Sequence, residues 1–360
     1  KNDYLTMADL FTKKLWHQLT QKIYEFVLSE GNSVNDSFVV LYNNFIVNFE
    51  SRLNQLKLAQ IICQIANTQK DLAESAHLVQ SSIEKSARFG PEPSLLLRSE
   101  LGLINLKRGL FGDLKDQIKA DKYALEELEN IADTAVFSSY YLLATEYYKC
   151  FGPAEKFYSN ALSYLAYTPL ETLNKDRQLQ LATDISISAI TAEGVFNFGE
   201  VVNTSAVKAL ESTGKSWLGQ LLHSFNKGDI DAFNVITKVH QEEMSEQPIL
   251  VARADFIKEK LLLMSLINMI FEIPSDKRDV HFKDIARNTR LPIEQVEYLI
   301  MKAMSLGLMR GSMDEVNQVL HVSWVKPRVL DQNQISHIEA RVSGWKNSVM
   351  EAHNYMENLT

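Results

Sequence analysis

The stretch Thr213-Gly214-Lys215-Ser216 comes nearest to spelling out a chemical function, because glycine, lysine and a hydroxyl in that order close a phosphate-binding loop. Such a loop also needs an upstream glycine, where Ala209 stands, and a preceding strand, where the pattern is helical. We read it as an ordinary connection between helices, with no nucleotide site. The eight histidines are scattered, with no His-x-His, His-Glu-x-x-His or Cys-x-x-Cys spacing, so no zinc site is expected. His17, His77 and His223 read as surface or satisfied core residues of helices. No Gly-x-Ser-x-Gly nucleophile elbow occurs. Tyr140, Tyr141, Tyr147 and Tyr148 could line a peptide groove, but their spacing fits the core of a helical repeat better, with hydroxyls at its rim. We therefore expect no catalytic residue, cofactor or metal.

With catalysis unsupported, the elements that could present a binding surface carry the argument. Only 14 glycines and 8 prolines among 360 residues argue for long helices with short connections. A 46% hydrophobic and 23% charged composition is ordinary for globular proteins. The net charge of -8 disfavours a dedicated nucleic-acid binder, which normally shows a basic footprint. Cys63 and Cys150 lie in apolar helical contexts and read as buried free thiols in a reducing compartment. No apolar run is long enough to cross a membrane, and the first residues do not resemble a signal peptide. The opening at Lys1, without a methionine, leads us to expect further native sequence before it. Sequons at Asn35, Asn203 and Asn358 carry no weight without a secretory signal.

Helix pairs punctuated by glycine fill the first two thirds. Helices over 95–108, 140–150, 184–192 and 217–225 run into turns marked by Gly112, Gly152, Gly194 and Gly228, which recur every 34 to 42 residues. That period belongs to tetratricopeptide-like helical hairpins. Two earlier amphipathic helices, Leu15 to Val27 and Phe38 to Phe49, fit the same pattern, and 88–94 reads as a loop. From Phe256 to Phe271 the chain is apolar nearly all round, as expected of a buried spine.

Residues 280–330 then read as a winged helix. A short strand, Val280 to Phe282, precedes a helix over 283–288 and a longer one from Ile293, with Val296, Ile300 and Ala303 also inward, ended by Gly307. Leu308 to Met313 and Val319 to Val325 form a hairpin, with Leu320, Val322 and Trp324 alternating onto one face. Glu294, Gln295, Glu297, Tyr298 and Lys302 point outward on the second helix, and Asp314 and Glu315 mark the wing tip, which opposes duplex reading. Lys326 and Arg328 read as a solvated pair or a contact to an acidic neighbour.

The chain closes on a helix from Asp331 with a strict heptad seam: Ile335, Ile338, Val342, Trp345, Val349, Ala352 and Met356. Burying the larger of these side chains would contribute on the order of 10 kcal/mol before ordering costs. Such a helix needs a partner surface. The fold expected is mainly α: a helical-hairpin solenoid over 1–255, a linker helix and winged helix over 256–330, and a heptad helix over 331–360.

Helical repeats leading into a winged helix and a terminal helix resemble the PCI domain, a module shared by the proteasome lid, the COP9 signalosome and a translation initiation complex. The segments FNFGE (196–200), LPIEQVEYLIMKAMSLGL (291–308), RGSMDEVNQ (310–318) and VSWVKPRVL (322–330) resemble, more narrowly, the family of the ninth non-ATPase subunit of the proteasome regulatory particle. The resemblance runs over nearly the whole chain. Family members normally extend before the equivalent of Lys1, and some carry a longer insert near 88–94. It implies a non-catalytic scaffold of the lid that supports ubiquitin-dependent degradation in cytoplasm and nucleus, as part of a hetero-oligomer with no nucleic acid and no membrane. It also implies two partner surfaces. One is the winged-helix edge, with Leu308, Arg310, Met313, Leu320, Val322 and Trp324. The other is the heptad seam, entering a bundle with helices of other PCI and MPN subunits, near a metalloprotease pair and a ubiquitin receptor. A PCI subunit of the signalosome or initiation complex, or a nucleic-acid-binding PCI protein of messenger-RNA export, is the alternative.

Overall fold

A computed structural model describes residues 2–30, 37–86, 90–128, 133–169, 173–211, 213–273, 278–329 and 332–357. The chain forms two compact units, Lys1–Thr172 and Leu173–Thr360.

The first unit is built from α1 (Asn2–Thr12), α2 (Trp16–Glu30), α3 (Ser37–Asn44), α4 (Gln55–Thr68), α5 (Leu72–Ser86), α6 (Pro91–Lys107), α7 (Leu114–Glu127), α8 (Thr134–Phe151) and α9 (Ala154–Tyr167). Successive helices pack in pairs around one apolar core that includes Ile61, Ile65, Val79, Leu97, Ile104, Val136 and Leu143. The helix expected over Phe38 to Phe49 breaks after Asn44 into a 3-10 turn over Ile46–Arg52. Phe45 and Phe49 thereby pack against Phe11, whose ring lies 5.6 and 5.3 Å away, so tertiary packing overrides helical continuity. The loop expected over 88–94 is shorter than that. Residues 87–89 lie outside the described part, and Pro91 opens α6 at its first turn, where the missing N–H costs nothing.

The tyrosine cluster is repeat core, with Tyr140 buried and its hydroxyl donating to the Ile118 carbonyl at 3.2 Å. Both cysteines are free. Cys63 is buried as expected, and its thiol is pushed up by burial first and by the Glu100 charge second. Cys150 is exposed, contrary to expectation, because it falls in the last turn of α8 beside Lys149 on the solvent side.

Burial also pushes the Glu100 carboxyl upward, against the opposing effects of Asn67 and Lys107. A carboxyl whose folded-state value is raised stabilises the fold below its ordinary titration range and loses that contribution as pH rises through the raised value. Glu100→Gln is therefore expected to raise the thermal midpoint at pH 7. The advantage over the parent should shrink on acidification, and a pH-independent difference between the two melting curves would refute it.

The second unit begins with α10 (Lys175–Thr191), α11 (Phe198–Val202), α12 (Ser205–Glu211), α13 (Ser216–Lys227), α14 (Ile230–Val239), α15 (Gln241–Ser245), α16 (Pro248–Ala252) and α17 (Ala254–Glu272). Gly228 ends α13 in the left-handed region, and a Cβ there would sit 2.7 Å from the backbone of Ser265, so α13 and α17 approach closely at this turn. The winged helix follows as β1 (Asp279–His281), α18 (Phe282–Thr289), α19 (Ile293–Ser305), β2 (Met309–Asp314) and β3 (Val319–Val325), in the antiparallel order β1-β3-β2. Phe282 starts α18 and is buried there instead of ending the strand, and Ile293, expected inward, is exposed in the first turn of α19. Leu263, Leu266 and Ile270 of α17 join Val296, Ile300 and Leu320 in one core, so the apolar spine is shared with the winged helix. The last element is α20 (Gln332–Glu357).

Candidate functional site

The Thr213–Ser216 connection is a cap and a turn. Lys215 is the residue before α13, with its Nζ 3.5 Å from Thr183 Oγ1, and Asp176 and Asp184 line the same shallow groove. Two carboxylates there repel the anion that a phosphate loop must hold. Among the described residues no three His, Cys, Asp or Glu side chains converge on a metal-sized site, and no helix is long and apolar enough to cross a membrane. His17, His77 and His223 are exposed on their helices.

Four cations in or beside the winged helix are engaged within the protein. Arg290 pairs with Asp231, Lys302 with Glu259, and Arg287 with Asp284 at 3.7 Å. Arg278 donates from Nε to the Ile273 carbonyl at 3.2 Å. The outward face of α19 offers Glu294, Gln295, Tyr298 and Met301, with Glu297 half-buried. At the wing tip, the Asn317 backbone N–H and side-chain amide hold the Asp314 carboxyl below its usual range. A duplex docked here would meet carboxylates where phosphates need bases.

Of the six residues assigned to the winged-helix edge, three have their side chains turned into the domain. Leu308, Leu320 and Val322 are buried in the domain's own core, since the hairpin must cover α17 and α19 before it can face a partner. Met313 is half-buried, and Arg310 and Trp324 are exposed. Trp324 was expected on the inner face with Leu320 and Val322. Pairing instead jumps from Arg310 opposite Trp324 to Gly311 opposite Val322, and the bulge at Ser323 turns Trp324 outward and Val325 inward. The Arg310 guanidinium lies 5.0 Å from the centre of the exposed indole. Strand β2 is a free edge of the sheet.

Where the wing ends, the chain is tied to the helices before it. Arg328 Nη2 donates to the Asn226 carbonyl and side-chain oxygen at 2.7 and 2.8 Å, so Arg328 grips the end of α13 and is no solvated residue. The Val329 N–H donates to Asn197 Oδ1 at 3.2 Å. A Cβ on Gly199 would lie 2.8 Å from the Cβ of Val329, so only glycine lets this strap pass. The FNFGE segment is thus the seat of the strap, with Phe198 fully buried against Phe225.

Beneath it lies a residue the sequence pattern did not expose. Lys260 is 1% exposed, and its Nζ donates to the carbonyls of Ala189, Ile190 and Ala192 at 2.7, 3.3 and 2.7 Å, satisfying the end of α10. The rings of Phe198, Phe196 and Phe256 stand 5.1, 5.5 and 6.0 Å from the same ammonium. A lysine in the first turns of a helix next to Lys258 and Glu259 looks like a solvated residue, and no sequence signal separates the two situations.

Helix α20 presents its seam openly. Ile335, Ile338, Val342, Val349 and Ala352 are all exposed, and Trp345 is 71% exposed. The Met356 side chain lies outside the described residues. A contiguous apolar stripe of this kind on a helix marks an interaction surface.

Comparison with known proteins adds an independent line. Residues 3–222 match the family described as PSD13 N-terminal repeats, and residues 237–324 match the PCI domain. The chain is 35% identical over 341 residues to the 26S proteasome non-ATPase regulatory subunit 13 of Dictyostelium discoideum, covering 94% of this chain and 88% of that protein. It is 30% identical over 367 residues to the 26S proteasome regulatory subunit RPN9 of Saccharomyces cerevisiae, covering 96% and 90% respectively. A more distant likeness, 25% over 198 residues, is to the eukaryotic translation initiation factor 3 subunit M of Aspergillus terreus, covering 55% of this chain and 42% of that protein.

Proposed function

The chain belongs to the family of the 26S proteasome non-ATPase regulatory subunit 13, and on that premise we propose that it works as a non-catalytic scaffold of the regulatory-particle lid. The labour divides along the chain. Residues 1–255 position peripheral partners, 256–330 present the winged helix to neighbouring PCI subunits, and 331–360 enter a helical bundle. At the winged helix the accessible residues are Arg310, Met313 and Trp324 together with the backbone of the β2 edge. In the bundle they are Ile335, Ile338, Val342, Trp345, Val349 and Ala352, and the proposed seam runs on to Met356.

The exposed seam of α20 carries the proposal, because a heptad stripe on a solvated helix supplies association energy that its own protomer leaves unused. Any proteolytic or deubiquitinating activity belongs to neighbouring subunits, a ubiquitin receptor sits close by, and the assembly works in cytoplasm and nucleus. Mass spectrometry of proteins that co-purify with the tagged chain tests this, alongside a version ending at Leu330. Lid and base subunits should accompany the full chain and be lost from the shortened one. Recovery of initiation factor subunits or of nucleic acid with the full chain would replace the proteasome reading.

A further inference from the structure

The heptad frame assigns a place to every charge on α20. With Ile335, Val342 and Val349 at a, and Ile338, Trp345 and Ala352 at d, the flanks of the seam are Glu339, Lys346 and His353 on one side and Arg341, Ser348 and Tyr355 on the other. Arg341 and Lys346 are the only lysine or arginine residues in Gln332–Glu357. Both are exposed, and they fall on opposite flanks of the seam at the level of Trp345. On a chain of net charge -8, this is a basic collar around the largest knob of the stripe. Glu351, by contrast, sits at an outward heptad position.

A second copy of the chain satisfies the collar in neither direction. Parallel pairing sets flank position g against e of the following heptad, which brings Arg341 against Lys346 of the copy on both sides. Antiparallel pairing with Trp345 against Val342 of the copy joins Lys346 to Glu339 but leaves Arg341 beside Ser348. Size points the same way: Trp345 needs a small residue across from it, whereas Ala352, two turns on, leaves room for a large one.

We propose that α20 selects acidic partner helices. The neighbours in the bundle carry Asp or Glu on the flanks facing Arg341 and Lys346, with a small apolar residue against the Trp345 ring, so that the collar admits heteromeric partners and rejects a second copy. This rests on the bundle reading above and adds the chemistry of the partner. Like charges across a seam act as the repulsive half of such specificity.

The test uses the full chain, tagged and expressed in cells, in three forms: R341E/K346E, the charge-conserving R341K/K346R, and W345D/V349D. The fraction of each that co-sediments with the proteasome is measured against the parent, together with sedimentation of each purified chain alone. Charge reversal is expected to lower incorporation roughly tenfold at moderate salt, with the loss narrowing as salt rises, and the conservative pair should match the parent. Normal incorporation of R341E/K346E, with W345D/V349D excluded, would overturn the acidic-partner inference and leave the bundle standing. Normal incorporation of W345D/V349D would remove both. A dimer of the purified parent chain that W345D/V349D dissolves would name a second copy as the occupant and likewise overturn the proposal.

Discussion

Aspartate at both Trp345 and Val349 is expected to give a chain that melts like the parent and fails to enter the assembly. The two halves of that outcome have separate causes. In the free protein both side chains stand in water, Trp345 at 71% and Val349 at 49% exposure, so their replacement removes little that holds the protomer together. Surface changes of this kind usually stay within about 0.5 kcal/mol. In a bundle both positions fall in the middle of the seam, and the substitution strips two apolar knobs and inserts two carboxylates. An unpaired charge buried at such a contact costs about 3–5 kcal/mol, so a loss of association well beyond a hundredfold follows. Thermal melting of the purified variant and its recovery in affinity-purified proteasomes report the two halves. A lowered melting point would mean that α20 supports its own protomer, and normal recovery would mean that the seam has no partner.

Replacing Lys260 with methionine should do the reverse, damaging the protomer at a buried site. Methionine keeps most of the side-chain volume but leaves the Ala189 and Ala192 carbonyls, each now held at 2.7 Å, without their donor in a buried site. Each buried acceptor left without its donor costs about 1–3 kcal/mol. Denaturant unfolding followed by tryptophan fluorescence should show a matching drop, since Trp217 and Trp324 lie in the same unit. Stability within about 1 kcal/mol of the parent would mean that the ammonium is merely tolerated beneath the phenylalanine rings.

These two residues also mark what could and could not be seen in the sequence. The seam was legible because its spacing is periodic and its residue types are apolar, two properties that survive without coordinates. The glycine turns were legible for a similar reason: Gly228 stands where a helix has to stop and the backbone must turn left-handed. Lys260 was not, because burial of a lysine depends on what arrives from elsewhere, here the end of α10, about seventy residues earlier in the chain. Trp324 failed in another way. Alternation predicts facing only while the register holds, and the extra residue at Ser323 breaks it, so a strand that reads as inward-facing at three positions delivers two. For the same reason three of the six residues placed on the winged-helix edge are buried: pattern alone finds apolar residues, and most apolar residues of a small sheet are needed by its own core.

The open seam of α20 finally bears on gene dosage. A copy synthesised in excess of its partners has nowhere to hide a stripe that runs from Ile335 to at least Ala352, and each such copy adds sticky surface to a crowded solution. Solubility of the surplus, and not activity, is then what limits how much of this chain can usefully be made.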